Sequence, residues 1–245
     1  MKIKFTSIVA FALLSATALL QSCSDNDDMY TILPNALVTA KTDTDNTFYL
    51  QLDDNTTLLP TNISKSPYGE KEVRALVNYA TLDQSSGKYT KAVYVNWIDS
   101  IRTKNTIEFV SEEESEEYGS DPVEIIKDWV TIAEDGYLTL RFRTLWGYAG
   151  NVHYINLIRN VNPENPYQLE LRHDANGDKG GSIRDALVAF SLKDLPDTEG
   201  KSVKLKLVWN SFSGEKSAEF DYCSRKSSGE KNIAFSGEEF VTAVR

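Results

Sequence analysis

Apolar and polar side chains alternate along most of this chain, and that period of two constrains its fold more than any other feature. Phe48, Leu50 and Leu52 alternate with Tyr49 and Gln51; Val73, Ala75, Val77 and Tyr79 with Arg74 and Asn78. The same rhythm recurs at Leu138, Leu140 and Phe142, at Tyr167, Leu169 and Leu171, and at Val203, Leu205, Leu207 and Trp209. A strand sends successive side chains to opposite faces, so each run offers one face to a core and the other to water. Turn chemistry separates the runs at Asp53-Asp54-Asn55, Ser85-Ser86-Gly87, Glu134-Asp135-Gly136, Ala175-Asn176-Gly177-Asp178 and Ser213-Gly214. Asn176-Gly177 carries the signal of a tight hairpin.

Short strands punctuated by turns predict an all-β fold. Strand-like segments fall at 35–41, 47–52, 57–60, 72–82 and 89–102, and five strands of this length suit a small OB-type barrel. Pro60, Asn62 and Pro67 lie in a long connection of the kind a barrel uses. Later segments at 128–132, 137–145, 152–161, 167–173, 183–192, 201–210 and 216–223 fit an immunoglobulin-like β-sandwich. Trp129 and Tyr137 are placed to seal the sandwich core. The acidic run Glu112 to Tyr118 has no apolar stripe and reads as an exposed loop. The expected organisation is a signal peptide over 1–22, an acidic tether over 23–32, a barrel over 33–104, an acidic linker loop over 105–121 and a sandwich over 122–245.

The N-terminal residues carry an address. Lys2 and Lys4 precede an apolar stretch from Ile8 to Leu20, too short for the roughly 20 residues of a membrane span. It ends in Leu20-Gln21-Ser22-Cys23, the layout of a bacterial lipoprotein signal, which makes Cys23 the lipid attachment residue. Cleavage before Cys23 leaves a sulfur carrying diacylglycerol, and each buried methylene contributes about 0.8 kcal/mol to membrane attachment. The expected partner is therefore a membrane, reached through lipid, and the expected location is the outer membrane with display at the cell surface. Ser24-Asp25-Asn26-Asp27-Asp28 resembles the surface-export signal of Bacteroides-group lipoproteins, and it equally suits a solvated tether.

Charge narrows the partners further. The formal net charge is -10, and loss of Lys2 and Lys4 with the signal takes it to -12. Such a chain lacks the basic footprint of a nucleic-acid binder. With the Cys23 sulfur alkylated, Cys223 is the remaining thiol, so the fold relies on its core rather than on a disulfide. Cys223 follows the alternating Ala218, Phe220 and Tyr222 and reads as a strand-end residue rather than a nucleophile.

Three candidate sites emerge. Asp174, Asn176 and Asp178 stand at alternate positions, as at the start of a calcium loop. Lys179 then occupies the place that needs glycine and Asp185 the place of the bidentate glutamate, so a polar turn explains the same residues and no metal is expected. Trp146 and Tyr148 lie in a glycine-rich connection, where aromatics either stack on sugar rings or fold back onto the domain. The two histidines, His153 and His173, show no metal-ligand spacing. No nucleophile elbow or phosphate loop occurs, and no catalytic residue or cofactor is assigned.

One set of residues carries a family resemblance. Arg74-Ala75-Leu76-Val77-Asn78-Tyr79, Asp121-Pro122-Val123-Glu124-Ile125, Trp129, Gly136-Tyr137-Leu138, His153-Tyr154-Ile155-Asn156-Leu157 and Leu169-Glu170-Leu171-Arg172-His173 together resemble the NigD-like lipoproteins of Bacteroides and its relatives. The resemblance implies an N-terminal OB domain followed by a β-sandwich in an outer-membrane lipoprotein, with a bacteriocin-associated immunity role as a further implication. It implies no reaction. The expected function is a non-enzymatic binding or accessory module with a protein or glycan partner. The alternatives are a surface glycan-binding lipoprotein and a hydrolase with a non-local site.

Overall fold

A computed structural model describes residues 33–147 and 151–225. Cys23, the tether and Tyr148 lie outside them. The first five strands are β1 (Ala36–Thr42), β2 (Phe48–Gln51), β3 (Thr57–Pro60), β4 (Val73–Leu82) and β5 (Lys91–Ser100), closed into a barrel in the order β1-β2-β3-β5-β4. Within this barrel, neighbours run antiparallel except β3 and β5, which run parallel. That pairing requires a long connection, and residues 61–72 lead the chain from β3 to β4. Asn62 pins this connection like a short strand: its side chain donates to Val95 O at 2.8 Å and accepts from Val95 N at 3.0 Å. Val38, Ala40, Phe48, Leu50, Leu58, Ala75, Val77 and Val93 fill the barrel interior.

The remaining elements are β6 (Arg102–Asn105), β7 (Ile107–Glu108), α1 (Glu112–Glu116), β8 (Glu124–Ile126), β9 (Ile132–Glu134), β10 (Tyr137–Trp146), β11 (Tyr154–Arg159), β12 (Gln168–Asp174), β13 (Ser182–Ser191), β14 (Val203–Ser211) and β15 (Gly214–Tyr222). They form two packed sheets. One has the order β6-β13-β10-β8, with β9 also on β10; the other runs β15-β14-β12-β11-β7. Leu138, Leu140 and Phe142 of one sheet meet Leu157, Leu169, Leu171, Leu205 and Leu207 of the other, as the alternation predicts.

Four local expectations are corrected. The stretch read as an acidic linker holds β7 and α1, and β6 before it already pairs with β13. The acidic run forms a short helix because Ser111 caps it, accepting from Glu114 N at 3.2 Å, while Glu112, Glu113 and Glu114 sit at its positive end. Asn176 and Gly177 both have positive φ, 51° and 79°, and make the expected tight turn. The turn does not close a hairpin, because β12 and β13 belong to different sheets; it is an arch between them. Trp129 and Tyr137 face away from the sandwich core. Trp129 packs in a separate cluster with Leu37, Leu76, Ile101, Val130 and Ala189, which joins the barrel wall to the outer face of the sandwich.

That joint explains why β1 is buried on both faces. Ala36, Val38 and Ala40 point into the barrel, while Leu37, Thr39 and Lys41 point at the sandwich. β4 repeats the pattern, with Leu76 and a fully buried Arg74 on the outer side. Arg74 donates to Thr39 Oγ1 (2.9 Å), Thr139 Oγ1 (3.3 Å) and Glu134 Oε2 (3.2 Å), so one guanidinium ties β1, β9 and β10 to β4. Burial holds Arg74 below and Glu134 above their ordinary pKa values, each opposed by the attraction of the other.

Candidate functional site

A cleft of about 800 Å³ opens beside this joint. Lys71, Glu72 and Val73 line it from the barrel, Thr103, Lys104 and Asn105 from β6, and Tyr137, Ser191, Lys193, Leu195, Tyr222 and Arg225 from the rest of the sandwich. Its size lies within the range of small-ligand sites.

Its base is a clamp across the two domains. Arg225 pairs with Glu72 of the barrel and donates to Asp135 of the sandwich, through Nε to Oδ1 at 3.1 Å and through a second nitrogen to the backbone oxygen at 2.9 Å. Tyr137 Oη donates to Glu72 Oε1 at 2.7 Å, and the Arg225 guanidinium sits 5.5 Å above the Tyr137 ring. Lys41 closes the circuit from β1, donating to Asp135 Oδ1 at 2.9 Å. Burial alone would lower Arg225, but Asp135 and Glu72 hold its pKa above the ordinary value. Burial pushes Tyr222 up to about 12 and raises Tyr137, with Glu72 adding to the latter. Lys104 is held below its usual range by burial and by nearby Arg102, its ammonium bonded to Ile155 O and Asn156 Oδ1. Asp197 accepts from Glu199 N at 3.0 Å and from Ser224 Oγ.

A second cluster lies in the sandwich. His153 Nδ1 is 3.0 Å from His173 Nε2, His173 Nδ1 is 3.2 Å from the Asp121 carbonyl, and His153 Nε2 is 3.4 Å from Asp178 Oδ2. The Trp146 indole stacks on His153 with centroids 3.9 Å apart and donates through Nε1 to Arg184 O at 3.3 Å. Burial depresses the His173 pKa, and His153 adds to the effect.

These contacts decide what the sequence candidates do. One face of Trp146 is covered by His153, so this indole is folded back onto the domain. Asp174 accepts from Asn176 N at 2.7 Å, whereas Asp178 turns inward to accept from Gly147 N at 2.9 Å. Asp185 lies between Arg141 and Arg143, whose hydrogen bonds hold its pKa down. The three loop candidates therefore do not converge, and among the described residues no three His, Cys, Asp or Glu side chains gather as a metal site. Cys223 directly follows β15, as expected, and its Sγ donates to Lys201 O at 3.1 Å.

Sequence reasoning missed the cleft residues Glu72, Tyr137 and Arg225, and behind them Lys41, Arg74 and Asp135. The available signal was that β1 and β4 carry a leucine, Leu37 and Leu76, among the side chains opposite the barrel core. A strand apolar on both faces has a second partner.

Two family models match the chain: the NigD-like N-terminal OB domain over residues 37–101 and the NigD-like C-terminal beta sandwich domain over 106–222. The chain is similar to a candidate toxin-related protein from Parabacteroides distasonis, at 36% identity and a TM-score of 0.65, over 77% of this chain and 92% of that one. It is similar also to a NigD-like immunity protein from Bacteroides caccae, at 22% identity and a TM-score of 0.56, over 77% and 96%. A candidate lipoprotein from Bacteroides fragilis shares the fold at 11% identity and a TM-score of 0.53, over 79% and 98%. A comparison with the curated proteins finds no match.

Proposed function

The chain belongs to the NigD-like family, and from that premise we propose that it is a non-enzymatic binding module, lipid-anchored at Cys23 in the outer membrane and displayed at the cell surface. The observation that carries the binding role is the cleft of about 800 Å³ whose two walls come from different domains locked together by Arg74 and Arg225. A cleft with fixed walls binds without the cost of ordering them. Its base carboxylate, Glu72, is held by Arg225 and Tyr137, the arrangement of a structural clamp rather than of a proton donor or acceptor.

The run Leu20-Gln21-Ser22-Cys23 supports the anchor, and the acidic residues after it support display outside the cell. The Bacteroides caccae protein is named an immunity protein and the Parabacteroides distasonis one toxin-related, which favours a role beside a toxin. The test is amide NMR of the folded chain titrated with fractions of envelope extract. Shifts at Val73, Gly136, Ser191 and Leu195 are the expected result. Ligand-induced shifts confined to other regions, or none with any fraction, would refute the cleft as the binding site.

A further inference from the structure

The cleft has a charge and an edge that together select a ligand. Of the charged groups lining it, Glu72, Lys104, Asp197 and Arg225 are each engaged by protein partners. Lys71 and Lys193 are exposed and form no ion pair among the described residues. Glu70 and Asp194, their sequence neighbours, do not line the cleft. In a chain of net charge -10, the uncompensated charge of this cleft is positive.

The second feature is β6. Among the described residues it is the outer strand of its sheet, laddered to β13 alone through Arg102 to Asn105; Thr103 Oγ1 accepts from Arg74 N at 3.1 Å, and Thr103, Lys104 and Asn105 line the cleft. An outer strand offers backbone donors and acceptors to any extended chain laid beside it. Val73 and Leu195 also border the cleft, but Val73 packs on the barrel core and Leu195 belongs to the sandwich core.

We propose that the cleft binds an acidic peptide segment in extended form, added as a strand to β6 with its carboxylates at Lys71 and Lys193. This rests on the cleft being the binding site. A peptide answers both features at once: its backbone pairs with an edge, and alternate side chains reach the lysines. An inorganic anion answers only the charge, and a neutral sugar does not answer it. The three residues of β6 that line the cleft give an edge of roughly 10 Å, enough for three to four residues of a peptide.

The test uses a blocked pentapeptide of alternating glutamate and valine, titrated into the full chain by calorimetry and NMR. Binding that moves the Thr103–Asn105 amides is expected. The same peptide with glutamine for glutamate should bind about tenfold more weakly, and so should the glutamate peptide against the doubly substituted Lys71→Glu, Lys193→Glu chain. N-methylation of alternate peptide amides should also abolish binding. Both lysines are exposed, so the substitutions leave the core untouched. Equal binding of the glutamine and glutamate peptides, or undiminished binding of the N-methylated one, would overturn the proposal while leaving the cleft as a binding site. Failure of the glutamate peptide alone, with envelope fractions still shifting the cleft, would overturn it in the same way.

Discussion

His153 and His173, the chain's two histidines, are joined ring to ring, Nδ1 to Nε2, at 3.0 Å. The order of protons follows from the ends of the chain of contacts. The Asp121 carbonyl can only accept, so His173 carries its proton on Nδ1 and presents the Nε2 lone pair to His153. His153 donates through Nδ1, and its Nε2 faces the Asp178 carboxylate, also an acceptor. That last contact becomes a hydrogen bond only when a second proton sits on the ring.

Acid should therefore weaken the sandwich through His173. Its folded pKa is depressed by burial, so the unfolded chain binds the proton more readily. The stabilising contribution is present in full above the unfolded value of about 6.5 and is lost as pH falls from there toward the folded value. The denaturation midpoint should drop between pH 7.5 and 5.5. His173→Asn keeps a donor toward Asp121 but cannot titrate, and it should remove most of that drop. A pH slope unchanged in this variant would contradict the assignment.

Arg74 makes a different prediction, because its partner is buried too. Arg74→Ala would leave the Glu134 carboxylate without its counter-charge at a site 7% exposed, a loss of about 3–5 kcal/mol. Arg74→Met combined with Glu134→Gln removes both charges and keeps most of the volume, so it should recover the greater part of that loss. Chemical denaturation of the two variants decides the matter. A double variant no more stable than Arg74→Ala would show that the hydrogen bonds to Thr39 and Thr139 matter more than the ion pair.

How far the fold could be read in advance follows the same physics. Long strands such as β4, β10, β13 and β14 were legible because each buries a full alternating set against one core. β6, β7 and β8 span only two to four residues, too few for a period to show, and β6 and β7 pair in parallel with strands far along the chain. The joint behind the cleft was illegible for a related reason. Arg74, Thr39 and Thr139 occupy the polar half of their alternations, and nothing local distinguishes a face turned to water from one turned to another domain. The sequence places Trp146 in a glycine-rich connection, but it is the last residue of β10, and its partner His153 came into view only with the fold.

Gly181 should tolerate no side chain. Its φ is +89°, and a Cβ there would lie 2.2 Å from the Trp146 carbonyl oxygen, a backbone atom that β10 holds in place. Gly177 has a similar φ of +79° with open space around it. Gly177→Ala should cost about 1 kcal/mol, the penalty of the left-handed backbone alone. Gly181→Ala adds overpacking and should cost about 2–3 kcal/mol more. Thermal melts of the two variants separate the contributions, and equal losses would show that the close approach at Gly181 relaxes freely.

The anchor is testable apart from the fold, because Cys23 and the tether lie outside the described residues. A thioether-linked lipid needs the Cys23 sulfur, so Cys23→Ala should give a chain that takes up no labelled palmitate and keeps its apolar N-terminal segment. Membrane attachment in this variant would rest on that segment alone. Deletion of 24–28 leaves the sulfur intact, so lipidation should persist while the acidic residues proposed to direct export are lost. Protease added to intact cells should then degrade the wild-type chain and spare the deletion variant. Palmitate incorporation into Cys23→Ala would remove the basis for the anchor. Equal digestion of the two lipidated chains would assign the acidic run to a solvated spacer instead.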